Sequence, residues 1–196
     1  MREKFRQLAK KTNINFEEEQ IEQFFLYKEM LKEWNEKINL TAITDDFEIL
    51  LKHFIDSLTI LKYIPEKALV IDVGTGAGFP GIPIKIMKKD MKVTLLDSLQ
   101  KRLKFLEQVI KKINLQNVEL VHGRAEDFGI DGKYREKYDI ATARAVANLA
   151  VLSEYCLPFV KVNGAFVCMK GSNIEEIKES EKAIEKMGGK IEKIEK

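Results

Sequence analysis

The sequence predicts an α/β fold in which a doubly wound, mostly parallel sheet follows an N-terminal helical segment. From about residue 67 onward, short apolar runs alternate with segments whose apolar residues recur at helical spacing. A glycine-rich loop follows the first of these runs, and an acidic residue ends the second. Right-handed crossovers bring the carboxyl ends of parallel strands to one edge of the sheet, so we expect the ligand-binding loops to meet there.

Two helices are predicted before the first strand. Asn15 is followed three residues later by Glu18, which predicts Asn15 as the N-cap of a helix over about 15–37. The second helix spans about 46–63 and ends before Pro65, because the residue that precedes a proline is disfavoured in helical geometry. We expect both helices to pack against the sheet as a helical cap.

The remaining elements alternate regularly. The predicted strands lie near residues 68–73, 92–97, 117–122, 138–143 and 164–170. The predicted helices lie near residues 80–88, 99–113, 147–160 and 173–187.

Composition limits the class of protein. A chain of 196 residues with 45% hydrophobic content can bury one substantial core, which we divide into a helical cap (residues 1–66) and a cofactor-binding domain (residues 67–196). The net charge of +2 permits nucleic-acid binding without requiring it. The two cysteines and two histidines have no metal-ligand spacing, so no metal is expected. Without a signal peptide or an apolar run of membrane length, we expect a cytoplasmic protein, and a monomer.

The most informative segment is the VIDVGTGAGFPG stretch at residues 70–81. A β-branched apolar run ends at Asp72, a loop with alternating glycines follows, and then a helix-compatible segment begins. Glycine permits positive φ and lets a ligand approach the backbone without a Cβ in the way. The pattern is typical of a loop that binds a nucleotide-like cofactor, and it makes Asp72, Gly76 and Gly78 candidate contacts.

Two acidic residues favour S-adenosylmethionine (SAM) over a nicotinamide dinucleotide. Asp97 ends the second apolar run, where a carboxylate can accept hydrogen bonds from the ribose hydroxyls of either cofactor. Asp72 suits the cationic groups of SAM and would repel the pyrophosphate that a dinucleotide places at the helix N-terminus. After the third run, Glu126 or Asp127 can meet the adenine amino group, although a solvated acidic turn would look the same.

Further motifs make the chain resemble one known family. GFPG at 78–81 and TARA at 142–145 are far more specific than a glycine loop. The others are NLTAI at 39–43, HFIDSL at 53–58, LDS at 96–98 with Lys101 and Arg102, GRAE at 123–126 and MKG at 169–171. Over about residues 20–171 the sequence resembles the RsmG (GidB) family, which uses SAM to methylate N7 of a guanine in the 530 loop of small-subunit (16S) ribosomal RNA.

The resemblance implies a cofactor, a partner and site residues. SAM would be the cofactor, and 16S ribosomal RNA or the small ribosomal subunit would be the partner. The implied cofactor contacts are Gly74, Phe79, Ala125, Glu126 and Arg144, with Asp97 on the ribose.

The resemblance also implies an RNA-binding region. Lys52 and His53 would border the substrate, whereas His53 and Asp56, three residues apart, by themselves predict only a helix hydrogen bond. Lys101, Arg102 and Arg124 would bind backbone phosphates, although basic residues on solvated helix faces give the same pattern.

Guanine N7 carries a lone pair and no proton at neutral pH, so its methylation requires positioning and electrostatics but no general base. The chain has no Asn/Asp-Pro-Pro-aromatic run for an exocyclic amine and no Pro-Cys pair for attack on a pyrimidine ring. Arg144 is therefore the residue we expect at the reactive end, where a guanidinium can hold a phosphate, stack on a base or bind a cofactor carboxylate. Its alternative role is a salt bridge to Glu126 or Asp127.

Two questions stay open at this stage. A SAM-type sheet ends in a β-hairpin, but only Lys190–Lys196 remains as a candidate strand, so we expect the final C-terminal strand to be lacking and the last edge to be unpaired. The alternative functions are a SAM-dependent methyltransferase of a small molecule or protein, an NAD(P)-dependent oxidoreductase, and a binding module without turnover.

Overall fold

The computed structural model describes residues 1–144, 147–171 and 174–195. Its strands are β1 (Leu69–Val73), β2 (Lys92–Asp97), β3 (Val118–His122), β4 (Tyr138–Arg144) and β5 (Val160–Met169). These strands form one parallel sheet in the order β3-β2-β1-β4-β5. The chain moves outward from β1 through β2 to β3 and then returns to the other side of β1. The carboxyl ends of β1 and β4 therefore flank the switch point, where open α/β sheets bind their ligands.

Helices precede the sheet and connect its strands. Before the sheet lie α1 (Arg2–Lys11), α2 (Glu18–Ile38), α3 (Asp46–Glu48), a π-helix (Ile49–Ile55), α4 (Asp56–Leu58) and a 3₁₀-helix (Leu61–Tyr63). The others are α5 (Gly81–Met87), α6 (Gln100–Lys112), α7 (Ala125–Phe128), α8 (Leu149–Cys156), a second 3₁₀-helix (Leu157–Phe159) and α9 (Ile174–Lys186).

The two faces of the sheet are covered by different helices, because successive side chains of a strand point to opposite faces. On β1, Val70 belongs to a large core cluster that also contains residues of α1, α2, α5 and α6. Ile71 and Val73 belong to a second cluster, which includes Leu152 of α8 and Phe159 of the second 3₁₀-helix. This arrangement confirms the predicted doubly wound fold.

The helical cap packs on the sheet through a group of aromatic side chains. The ring of Phe24 lies 5.4 Å from that of Phe5 and 5.1 Å from that of Phe54, measured between centroids. All three side chains are fully buried and share the large core cluster with Val70 of β1. The cap and the sheet thus bury their apolar side chains together. The predicted boundary between the helical cap (1–66) and the cofactor-binding domain (67–196) stays a prediction.

Several predicted element ends were wrong. The N-cap of α2 is Glu17, not Asn15, because Glu17 and Gln20 form a reciprocal capping box. The second predicted helix is not uniform: a π-helix occupies its middle, and α4 ends at Leu58. The helix expected over 147–160 ends at Cys156, the second 3₁₀-helix follows it, and Val160 already begins β5.

The two ends of the chain also differ from expectation. Helix α1, which the sequence reasoning did not predict, buries Phe5 and Ala9. The candidate strand Lys190–Lys196 is not formed over residues 190–195, where Glu195 instead makes an ion pair with Lys62, and Lys196 lies outside the described residues. Asn173, the expected first residue of the last helix, and Ala145 of the TARA motif also lie outside them.

We expect Gly78→Ala to destabilise the protein by about 2–4 kcal/mol, since it combines overpacking with left-handed strain. Gly78 has a φ of +98°, and an added Cβ would lie 2.6 Å from the Tyr27 hydroxyl and 2.8 Å from side-chain carbons of Ile82 and Leu106. Urea unfolding measures the change. The matched control is Gly132→Ala, where the added Cβ meets no atom within 4 Å. Equal stability of the two variants would contradict the packing described here.

Candidate functional site

The glycine loop after β1 is fixed by backbone hydrogen bonds to β2. The amides of Gly74 and Thr75 both donate to the carbonyl oxygen of Leu96, at 2.9 and 3.0 Å. Gly74 and Gly76 have φ values of 69° and 60°, in the left-handed region that favours glycine. A Cβ on Gly76 would have Gly74 O at 3.9 Å as its nearest neighbour. The loop therefore presents open backbone at Gly76, which a ligand can approach closely.

Asp72, near the end of β1, fixes this loop through a fully buried carboxyl group. Its Oδ2 accepts hydrogen bonds from Thr75 Oγ1 at 2.7 Å and from the Gly81 amide at 2.9 Å. Its Oδ1 is buried and has no partner within the described parts of the chain. Burial raises the pKa of Asp72 to about 6, against the usual 3.8. One buried acceptor atom beside the glycine loop thus lacks a donor or a cation.

Asp97 connects the loop to the next turn, at the end of β2. Its Oδ2 accepts from the Gly76 amide at 2.8 Å, and its Oδ1 accepts from the Leu99 amide at 2.8 Å. Arg102 Nη1 approaches the same carboxylate at 3.3 Å. The predicted ribose ligand therefore also orients the glycine loop, and the predicted RNA contact Arg102 has a structural partner.

The turn after β3 completes this side of the sheet edge. The Gly123 amide donates to the Asp97 carbonyl at 3.1 Å, so the segment that leads into α7 lies beside the end of β2. Ala125 is half-buried, while Arg124 and Glu126 are exposed and make no side-chain hydrogen bond or ion pair with any described residue. Both side chains are free to meet a ligand at the edge.

Arg144, the last residue of β4, lies on the other side of the switch point. Its Nη1 donates to Asp56 Oδ2 at 3.1 Å and to the Lys52 carbonyl at 3.2 Å. Its Nη2 lies 3.1 Å from His53 Nδ1. The alternative prediction, a salt bridge from Arg144 to Glu126 or Asp127, was wrong, because Arg144 instead bonds residues of the π-helix and α4.

His53 is an interior residue of the site. Its ring is 4.5 Å from that of Phe79, with 14° between the planes, and its Nε2 lies 2.8 Å from Thr41 Oγ1. The helix hydrogen bond predicted between His53 and Asp56 is formed through the backbone, where the Asp56 amide donates to the His53 carbonyl. The two side chains do not bond each other, since both ring nitrogens of His53 have other partners. Burial and the neighbouring Arg144 charge lower the pKa of His53 to about 4.

Phe79 links the glycine loop to the helical cap. It is 6% exposed, and its ring stacks on Tyr27 at 5.5 Å as well as on His53. The Arg144 guanidinium lies 4.8 Å from the centroid of the same ring. The Tyr27 hydroxyl donates to the Ala77 carbonyl and so anchors the loop a second time. The ring of Phe79 is thus buried against the helical cap. Only the backbone of Phe79, as part of the glycine loop, is left for the predicted contact with the cofactor.

Sequence reasoning missed Tyr27, Asp56 and Ser57 as parts of this site. Tyr27 is one of several buried residues of α2, and its hydroxyl group distinguishes it from its apolar neighbours. Asp56 and Ser57 belong to the HFIDSL motif, which was the available signal. The structure shows that the motif reaches Arg144, with Ser57 Oγ at 3.5 Å from Nη1.

The predicted RNA-binding residues are not gathered in one cluster of contacts. Lys52 makes an ion pair with Glu48 at 2.7 Å on the helix surface. Lys101 is exposed at the start of α6 and has no ion pair within the described structure. Arg124 is exposed before α7. These three positions and Arg102 lie on three segments around the sheet edge, which are the π-helix, the start of α6 and the turn before α7.

The described residues form neither a metal centre nor an activated thiol. Within the described ranges, no group of three His, Cys, Asp or Glu residues is placed to hold a metal ion. Cys156 is buried, and burial raises its pKa, as it also raises the pKa of Cys168 to about 11. Neither thiol is activated as a nucleophile. No helix in the described part of the chain is both long and apolar enough to cross a membrane.

Comparisons with solved structures agree with this fold. A SAM-dependent O-methyltransferase from Thermotoga maritima matches with a TM-score of 0.56 and 18% identity, over 80% of this chain and 55% of that one. A SAM-dependent methyltransferase from Aquifex aeolicus matches with a TM-score of 0.56 and 20% identity, over 76% and 86% of the two chains. At this identity the likeness establishes the Rossmann-like methyltransferase fold alone.

Sequence comparisons establish the family. The ribosomal RNA small subunit methyltransferase G of Acetivibrio thermocellus is 62% identical over 182 residues, which are 92% of this chain and 75% of that protein. The protein of the same name from Clostridium botulinum strain Loch Maree is 55% identical over 185 residues, or 93% and 77% of the two chains. The family model GidB, described as rRNA small subunit methyltransferase G, matches residues 20–196. The chain therefore belongs to the GidB family.

Proposed function

We propose that this protein transfers the methyl group of SAM to N7 of a guanine in the 530 loop of 16S ribosomal RNA. Membership of the GidB family makes it a SAM-dependent methyltransferase of small-subunit ribosomal RNA. The structural observation that carries the site assignment is the position of Arg144, held by His53 and Asp56 across the switch point from the glycine loop. Family membership does not favour a small molecule or a protein as the methyl acceptor.

The residues at the sheet edge fit SAM, which supplies an electrophilic methyl group on a sulfonium. Asp97 has acceptor capacity left for the ribose hydroxyls, and we assign Gly74 and the open backbone at Gly76 to the methionine part. The unpartnered Oδ1 of Asp72 gives the loop a negative centre suited to a cationic ligand. Ala125 and Glu126 are assigned to the adenine side.

The site supplies positioning and charge, and its histidine is not free to accept a proton, which suits guanine N7. His53, the histidine beside Arg144, has both ring nitrogens in hydrogen bonds and a pKa of about 4. It is therefore not available as a general base. A lone pair that carries no proton can attack directly once it is aligned behind the methyl carbon, so orientation supplies the catalysis. Arg144 is the group we assign to hold the target nucleotide.

The RNA must present its guanine outside a regular helix. N7 lies in the deep, narrow major groove of A-form RNA, so the target has to be in a loop or flipped out. Lys52, Lys101 and Arg124 are the rim cations we assign to backbone phosphates. Charge reversal at Arg102 would also disturb Asp97, so Lys101 is the cleaner position to test. We further expect the protein to act as a monomer in the cytoplasm, where it meets small-subunit particles.

Arg144→Lys should reduce methyl transfer about 100-fold, because lysine keeps the charge but not the planar fork that reaches both His53 and Asp56. The assay follows labelled methyl from SAM into small-subunit particles that lack the modification, with mapping of the labelled nucleotide. For the wild type we expect label on N7 of one loop guanine. The control is Arg135→Lys, an arginine bonded to the Gly129 carbonyl away from the sheet edge. Label on another atom would refute N7 as the target, and unimpaired Arg144→Lys would refute the role of Arg144.

Asp72→Asn should stabilise the cofactor-free protein at neutral pH and weaken SAM binding. The folded protein holds the Asp72 proton with a pKa of about 6, against the usual 3.8, so the wild type loses stability as the pH rises from about 4 to about 6. Asparagine does not titrate. The variant should therefore gain up to about 3 kcal/mol over the wild type between pH 4 and pH 7.

Urea unfolding at the two pH values measures the stability, and calorimetry measures the SAM affinity. Asp90→Asn, on the exposed turn before β2, is the matched control and should leave SAM affinity unchanged. A stability difference that is the same at both pH values would show that Asp72 is not the buried titrating group described above.

A further inference from the structure

We propose that His53 is a positioning residue: as the neutral tautomer with its proton on Nε2, fixed by Thr41, it holds the Arg144 guanidinium in place for the target nucleotide. The positioning of Arg144 concerns this chain alone, whereas its consequence for catalysis rests on the proposed function. The sequence predicted His53 either as a partner of Asp56 in a helix hydrogen bond or as a residue that borders the RNA. The structure gives it a different task, inside the site.

The tautomer follows from the chemistry of the partners. A guanidinium has donors and no acceptor, so the contact of 3.1 Å between Arg144 Nη2 and His53 Nδ1 requires Nδ1 to accept. The ring proton is then on Nε2, which donates to Thr41 Oγ1 at 2.8 Å. A cationic His53 would have no lone pair for Arg144. The hydrogen bonds thus admit one protonation state and one tautomer.

Thr41 is itself fixed, which makes it suitable for holding the Nε2 proton and the ring in place. Its Oγ1 also accepts from the Ile43 amide at 3.0 Å, and its own amide donates to Asn35 Oδ1 at 2.8 Å. Asn35 lies near the C-terminal end of α2. A continuous series of hydrogen bonds therefore runs from α2 through Thr41 and His53 to Arg144.

The helical segment around His53 presents several hydrogen-bond acceptors to Arg144. In the π-helix the Asp56 amide donates to the carbonyls of Leu51 and His53, and the Lys52 carbonyl accepts from Arg144 Nη1 at 3.2 Å. Single π-helical turns frequently occur at functional sites. The wider turn lets a backbone carbonyl, an imidazole and a carboxylate from one segment meet the same guanidinium.

A neutral imidazole holds Arg144 without cancelling its charge. The carboxylate that does pair with Arg144, on Asp56, has 49% of its side chain exposed, so the ion pair is screened by solvent. His53 is only 8% exposed and packs flat on Phe79. Burial and the charge of Arg144 lower the pKa of His53, which keeps the ring neutral under physiological conditions. The guanidinium stays oriented and cationic for an anionic RNA.

The test removes the acceptor of the Nε2 proton. Thr41→Val keeps the shape of the side chain but cannot accept from Nε2, whereas Thr41→Ser keeps the hydroxyl. Thr59→Val is the matched control, because the Thr59 hydroxyl bonds the Asp56 carbonyl on an exposed surface. Ring nitrogen and carbon shifts in NMR spectra report the tautomer of each histidine. The chain has two histidines, and a His122→Asn variant assigns their signals.

In the wild type we expect His53 to be neutral with its proton on Nε2. In Thr41→Val we expect mixed tautomers at His53 with unchanged His122 signals, and about a tenfold loss of kcat/KM for RNA, as befits one hydrogen bond. SAM affinity should change less than twofold, and Thr41→Ser should restore both the spectrum and the rate.

A His53 that is cationic or protonated on Nδ1 in the wild type would overturn the proposal. So would Thr41→Val with the spectrum and RNA kinetics of Thr59→Val. The spectra are recorded without substrate, so they decide the positioning of Arg144 independently. A wild type that binds SAM and shows the expected tautomer but methylates no RNA would count against the proposed function instead.

Discussion

The structure depends on one group of contacts, in which Phe79 of the glycine loop packs between Tyr27 and His53 of the helical cap. A loop rich in glycine loses much backbone freedom when it is ordered, so it needs an anchor. Burial of one phenylalanine side chain is worth about 1.5–3 kcal/mol, and the Tyr27 hydroxyl adds a hydrogen bond to the Ala77 carbonyl. The helical cap therefore sets the conformation of the loop that the sheet presents.

The same contacts bring opposite charges to the two sides of the switch point. On the side proposed for the cofactor, Asp97 accepts from two amides and Arg102, whereas Asp72 keeps one oxygen without a partner in the described structure. On the other side, which we propose for the RNA, Arg144 is held by neutral and half-exposed groups, so its charge is not cancelled. Under the proposed assignment, a cationic cofactor and an anionic nucleic acid each meet the complementary charge. Burial of the ionised Asp72 carboxyl lowers the stability of the folded protein.

Much of the fold was predictable, because apolar runs of period two and helical spacing record which faces are buried. The glycine loop, Asp97 and Arg144 were placed at one edge by parallel topology alone. The partner of Arg144 was not predictable, since Asp56 is 88 residues away in sequence and reaches it only through a π-helix. The sequence also could not show why residue 78 has to be glycine. The reason is that Tyr27 lies against it and leaves no room for a Cβ. Long-range contacts of this kind leave no local pattern.

The most direct test of the anchoring role of the cap is the SAM affinity of Tyr27→Phe, measured by calorimetry beside Tyr155→Phe. Tyr27 donates to the loop carbonyl of Ala77, whereas the Tyr155 hydroxyl makes no hydrogen bond within the described structure. If the cap fixes the loop, Tyr27→Phe binds SAM about three- to tenfold more weakly, the effect of one lost hydrogen bond, and Tyr155→Phe binds it normally. Equal affinities for the two variants would contradict the account.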